Sequence, residues 1–112
     1  MRADEGPKCF ALAADDRGLM AFPSVEAAIA YCEAIDVEDG QWDFFDLDGV
    51  SLRPRILESS KRGRLIVASG RYDLVRDPTG RRLSDELPRI AYVEGCGLQC
   101  LGDVAALIQD GQ

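Results

Sequence analysis

Two carboxylates stand two residues apart in Phe44-Phe45-Asp46-Leu47-Asp48-Gly49-Val50, directly after a run of aromatics. An apolar strand that delivers one carboxylate, with a second two positions on, is an arrangement suited to phosphoryl chemistry. The first can attack phosphorus as a nucleophile, and the second can move the proton, with Mg2+ polarising the phosphate. The chain has no histidine, so a histidine-based triad or proton shuttle is absent, and no glycine-rich phosphate cradle occurs. Its four cysteines are Cys9, Cys32, Cys96 and Cys100. Only the last two are close together, whereas a four-thiolate zinc site is usually built from two close pairs. Reduced thiols and no metal or cofactor are therefore expected.

The segment Phe44 to Val50 resembles the first motif of haloacid-dehalogenase-type phosphatases. That resemblance would make Asp46 the nucleophile and Asp48 the general acid/base of a small Mg-dependent phosphatase-like or ligand-binding domain. The family also needs a phosphate-binding Ser or Thr, a Lys and a late acidic pair, and here Lys61 is the one downstream lysine. The same letters describe alternating strand residues followed by an Asp-Gly hairpin turn, in which case both aspartates are structural. A calcium loop is excluded. Placing Gly49 at its obligatory glycine puts Phe44 and Arg55 at ligand positions.

Charge is unevenly distributed. Residues 1–48 carry twelve acidic and three basic side chains, and residues 49–112 carry eight and ten, for a net charge of −7. Glu33, Asp36, Glu38, Asp39, Asp43, Asp46 and Asp48 fall within sixteen residues that hold no Lys or Arg. These can be a solvated face, or a patch that steers a basic partner. Trp42, inside the run, can be an aromatic anchor or a core residue under a helix. The candidate partner-binding residues are Glu33, Asp36, Glu38, Asp39, Trp42, Asp43 and Asp46. Net negative charge disfavours nucleic acid, and no run approaches the roughly 18 apolar residues of a membrane span. The polar start, Met1 to Lys8, is unlike a secretory signal, so a cytoplasmic protein is expected.

These residues need a scaffold. One domain is expected over residues 1–112, with 1–7 a loose tail; a chain of this size buries roughly 60–70% of its unfolded surface. Cys9–Ala14 and Leu19–Phe22, joined by Asp15-Asp16-Arg17-Gly18, read as a hairpin. Ser24 caps a helix carrying Val25, Ala28, Ile29, Cys32 and Ile35 on one face and ending near Asp36. A second hairpin follows, Trp42–Leu47 with Val50–Ile56. A two-residue Asp48-Gly49 turn sets Leu47 against Val50, Phe45 against Leu52, Phe44 against Arg53 and Trp42 against Arg55. Pro54 marks an edge or an irregular end. Residues 64–76 read as strand with a turn or kink at Ser69-Gly70, and Asp77-Pro78-Thr79-Gly80 as a turn. Residues 84–94 read as helix or strand, and Leu98, Leu101, Ala105 and Ile108 have helical spacing. The expected class is α+β, an antiparallel sheet of consecutive hairpins with two or three helices on one face.

In size, charge and hairpin–helix–hairpin order the chain resembles small acidic bacterial immunity proteins. That resemblance implies a non-catalytic inhibitor whose carboxylates occupy the cationic site of a toxin domain. A homodimer formed through an exposed sheet edge is a further possibility.

Overall fold

The computed structural model describes residues 8–62, 67–68, 70–97 and 102–105. The expected tail at 1–7 and most of the expected C-terminal helix lie outside them. Strands β1 (Cys9–Ala13) and β2 (Gly18–Phe22) pair antiparallel. The Asp16 carboxylate fixes their turn by accepting from the Gly18 amide at 3.0 Å. The Ser24 hydroxyl then accepts from the Ala27 amide at 3.0 Å and starts α1 (Val25–Tyr31).

The single helix expected to run to Asp36 is instead two, α1 and α2 (Ala34–Glu38). The chain breaks at Cys32 and Glu33, both extended. The Tyr72 hydroxyl donates to the Cys32 carbonyl at 2.5 Å, satisfying a helix end that a continuous helix would have satisfied itself. The break resets the phase, so that Ala34 and Val37 become the buried positions of α2.

β3 (Trp42–Asp46) pairs with β1 and with β4 (Ser51–Glu58), and β4 pairs with β7 (Arg71–Arg76). Between them β5 (Lys61–Arg62) and β6 (Val67–Ala68) form a two-stranded ribbon. Pairing of β4 with β3 stops at Leu52, two residues before Pro54, which has no amide to offer a ladder. From there β4 continues on β7 alone, as an arm. The Asp77–Gly80 turn forms as expected, with the Gly80 amide donating to the Asp77 carbonyl at 3.0 Å. Helix α3 (Leu83–Glu86), a 3-10 turn (Leu87–Arg89) and β8 (Tyr92–Glu94) follow.

The fold is α+β, and its six-stranded sheet runs β7-β4-β3-β1-β2-β8. Two expectations are corrected. The sheet is mixed, because β8 lies parallel to β2, with Gly18 opposite Tyr92; the helical turns after Gly80 carry the chain back to start β8 in the direction of β2. Helices also cover both faces. Cys9, Ala11, Phe44 and Leu52 pack with α1 and α2, while Phe10, Leu12, Leu19 and Phe45 pack with Leu83 of α3 and with Val104. Central β1 is therefore buried on both sides, which its unbroken apolar sequence permits.

The β3–β4 register also differs from expectation: Phe44 faces Leu52, and Phe45 faces Ser51. The loop holds three residues, Leu47-Asp48-Gly49. The Gly49 amide donates to the Asp46 carbonyl at 2.9 Å, and Gly49 takes φ 83°, a conformation glycine adopts without steric cost. A slip of one residue moves Leu52 to the opposite face of β4.

Candidate functional site

The Asp46 side chain is built into this loop. Its Oδ1 accepts from the Asp48 amide at 2.9 Å and the Val50 amide at 3.0 Å, and its Oδ2 accepts from Arg76 Nε at 3.0 Å. Arg76 also lies 3.8 Å from the Asp48 carboxylate. The two aspartates of the phosphatase-like motif thus meet turn amides and one guanidinium.

The acidic run does not form one patch. Glu33 is exposed at the N-cap of α2 without making a capping bond, and Asp36 is half-buried in the first turn. Glu38 is exposed, and its Oε2 accepts from the Ser60 amide at 2.8 Å and the Ser60 hydroxyl at 2.6 Å, tethering the β4–β7 arm to α2. Asp39 caps the same helix at its C-terminus. Asp43 projects from the other sheet face, beside Glu86, and burial together with the Glu86 charge raises its carboxyl pKa against the pull of Arg17 and Arg81. Asp46 sits at the far end of β3 from Trp42, about 14 Å away along the strand. Glu33, Asp36, Glu38, Asp39 and Trp42 are brought to one side of the sheet; Asp43 is not.

Trp42 is half-buried, packed on the core under α1 and α2. Tyr31, the last residue of α1, is 56% exposed. Its ring lies edge-on to Trp42 at 6.1 Å between centroids and also contacts Phe22 at 5.5 Å. Tyr92 is 41% exposed, and its ring lies over Gly18, where an added Cβ would sit 2.3 Å from the ring. The Tyr92 hydroxyl donates to Asp16 Oδ2 at 2.7 Å. That bond, with the Asp16, Glu94 and Tyr31 groups nearby, raises the Tyr92 pKa to about 12, and Asp16 is correspondingly lowered. Sequence reasoning missed Tyr31 and Tyr92. The signal for Tyr31 was its place off the apolar stripe of α1; Tyr92 left none.

Between the α1–α2 corner and the arm is an open cleft of about 340 Å³, lined by Ile29, Glu33, Ala34, Leu57, Arg71 and Tyr72. On the opposite face Glu86, the one buried charged residue among the described residues, receives Arg17 at 3.0 Å and Arg81 at 2.5 Å, with Arg89 at 3.8 Å. Burial pushes the Glu86 carboxyl up, but the hydrogen bonds from Arg17 and Arg81, with the charges of Arg81 and Arg89, outweigh it and hold the pKa below the ordinary value. Cys9 and Cys32 lie in the core under α1, where burial pushes both thiols up to about 12. Cys96 packs against the opposite core, and Cys100 lies outside the described residues. No helix among the described residues is long and apolar enough to cross a membrane.

No known protein family, curated protein or solved structure matches the chain.

Proposed function

We propose that this protein is a small acidic protein-binding module that neutralises a basic partner without catalysis, in the manner of the immunity proteins it resembles in size and charge. The observation that carries this reading is the Tyr31–Trp42 pair, left partly at the surface at the start of the chain's most acidic stretch. Glu33, Asp36, Glu38 and Asp39 stand in seven residues that contain no Lys or Arg. Aromatic rings supply contact area with little entropy to lose, and surrounding carboxylates steer a cationic partner. The Asp46 carboxylate serves its own loop and Arg76, which favours a structural role over a nucleophilic one. The reading places the protein in the cytoplasm, metal-free, with a toxin domain or similar basic protein as its target.

The test is affinity capture from cells of the source organism, followed by reconstitution with the retained protein. The expected result is a basic protein bound in a stoichiometric complex, with its own activity suppressed. An acidic partner, or a partner whose activity is untouched, would contradict the reading.

A further inference from the structure

Deepening the reading above and resting on it, we infer that Tyr31, Trp42 and Tyr92 form one aromatic platform that takes an arginine side chain of the partner, with Asp16 and Glu94 holding its charge. The sheet register assembles it. Trp42 on β3 faces Ala13 on β1, β2 starts across the hairpin at Gly18, and Gly18 faces Tyr92 on β8. Paired residues share a face, so these four positions make one row across the sheet, on the side covered by α1. Across three strand spacings the row spans about 14 Å. Its middle is only a methyl group and a glycine, and its two ends are aromatic.

Tyr31 descends from α1 onto the Trp42 end, its ring edge-on to the indole. The Tyr92 ring lies over Gly18, and its hydroxyl donates to Asp16, whose other oxygen accepts from the Gly18 amide. Asp16 and Glu94 place negative charge at the Tyr92 end. The nearest arginine in sequence, Arg17, is turned to the other face, where it donates to Glu86 and to the Arg89 carbonyl. An exposed aromatic surface with carboxylates at its rim is complementary to a group both cationic and planar, which is a guanidinium. The α1–α2 cleft and the Glu86 cluster lack this match: the cleft carries the chain's own cation, Arg71, which pairs with Glu58, and Glu86 already receives Arg17 and Arg81.

A blocked Gly-Arg repeat peptide is titrated into the intact protein, read by the emission of Trp42, the one tryptophan in the sequence. A saturable change is expected by about 1 mM peptide, weakening with added salt, and none with a Gly-Glu peptide. Tyr31→Ala and Tyr92→Ala should each weaken binding by about two- to fivefold. Tyr92→Phe should retain most of the binding, and Asp16→Asn, which keeps one carbonyl acceptor for the Gly18 amide and turns an amide donor toward the Tyr92 oxygen, should weaken it. Circular dichroism checks that each variant is folded. Absence of a saturable change, equal binding by the folded variants, or a change that tracks self-association instead of peptide overturns the platform. If the peptide binding is insensitive to Tyr31 and Tyr92 but lost on Glu33→Lys with Asp39→Lys, the platform falls while the basic-partner reading stands. If the peptide binds as expected but the captured cellular partner is acidic, that reading falls and the arginine site stands.

Discussion

Removing the Asp46 side chain should unlatch the β3–β4 loop, and the size of the effect follows from what each oxygen holds. In Asp46→Ala the Val50 amide loses its acceptor; Val50 is only 3% exposed, so water cannot fully replace the carboxylate. An unsatisfied buried donor costs about 1–3 kcal/mol. The Asp48 amide lies in a more open turn and loses about 0.5–1 kcal/mol. The pair with Arg76, whose side chain is 59% exposed, adds about 0–1 kcal/mol. The total is about 1.5–5 kcal/mol, a large share of the stability of a domain this size. Asp46→Asn keeps the Oδ1 acceptor for both amides and loses the charge and the acceptor toward the exposed Arg76, about 0.5–1 kcal/mol. With a urea slope of about 1–2 kcal/mol/M, the alanine variant should lower the midpoint by about 2 M and the asparagine variant by about 0.5 M. Equilibrium urea unfolding, followed by Trp42 emission and far-ultraviolet dichroism, measures both. Equal losses from Ala and Asn would refute the loop-latch account. So would Mg-dependent phosphatase activity that Asp46→Asn abolishes.

Glu86 should give stability a measurable dependence on pH. Its folded carboxyl pKa is depressed, so its contribution is present above the unfolded value and is lost as pH falls through the folded one. Urea midpoints taken from about pH 6 down to about pH 3 should fall less steeply in Glu86→Gln than in the parent; parallel curves would contradict the arginine network. The Tyr92 phenol, near 12, should return toward the ordinary tyrosine value of 10.0 in Asp16→Ala, read by ultraviolet absorbance during alkaline titration. In Gly18→Ala the new methyl would displace the Tyr92 ring, so the same fall in Tyr92 pKa is expected with the fold retained; an unchanged titration in both variants would contradict the ring's placement.

What was legible in the sequence was local. The Asp15–Gly18 hairpin, the Ser24 cap and the Asp77–Gly80 turn are each set by residues a few positions apart, and each forms. The β3–β4 loop failed at the same scale because Asp48-Gly49 alone suggests a two-residue turn, whereas the Asp46 side chain stabilises a three-residue one by binding amides beyond it. The α1–α2 break depends on Tyr72, forty residues after Cys32, and no reading of the helix stripe contains it. Parallel pairing of β8 depends on the crossover after Gly80. Burial on both faces has a signal in the unalternating apolar run Cys9–Ala13. Of the candidate site, Trp42 and the acids of α2 were visible as residue types. Their separation from Asp43 follows from strand alternation, and the partnership of Trp42 with Tyr31 exists only once α1 is packed on the sheet.

The central claim, that the α2 carboxylates steer a basic partner onto the exposed aromatics, is tested most directly by association kinetics with the captured partner across ionic strength. Glu33→Lys with Asp39→Lys is the variant measured, its fold checked by circular dichroism; Glu38 is left in place because it holds Ser60 and the arm. The account predicts that this double reversal slows association by about tenfold at low salt, flattens its salt dependence and changes dissociation little. Association that is equally fast and equally salt-dependent in the parent and the variant would contradict it.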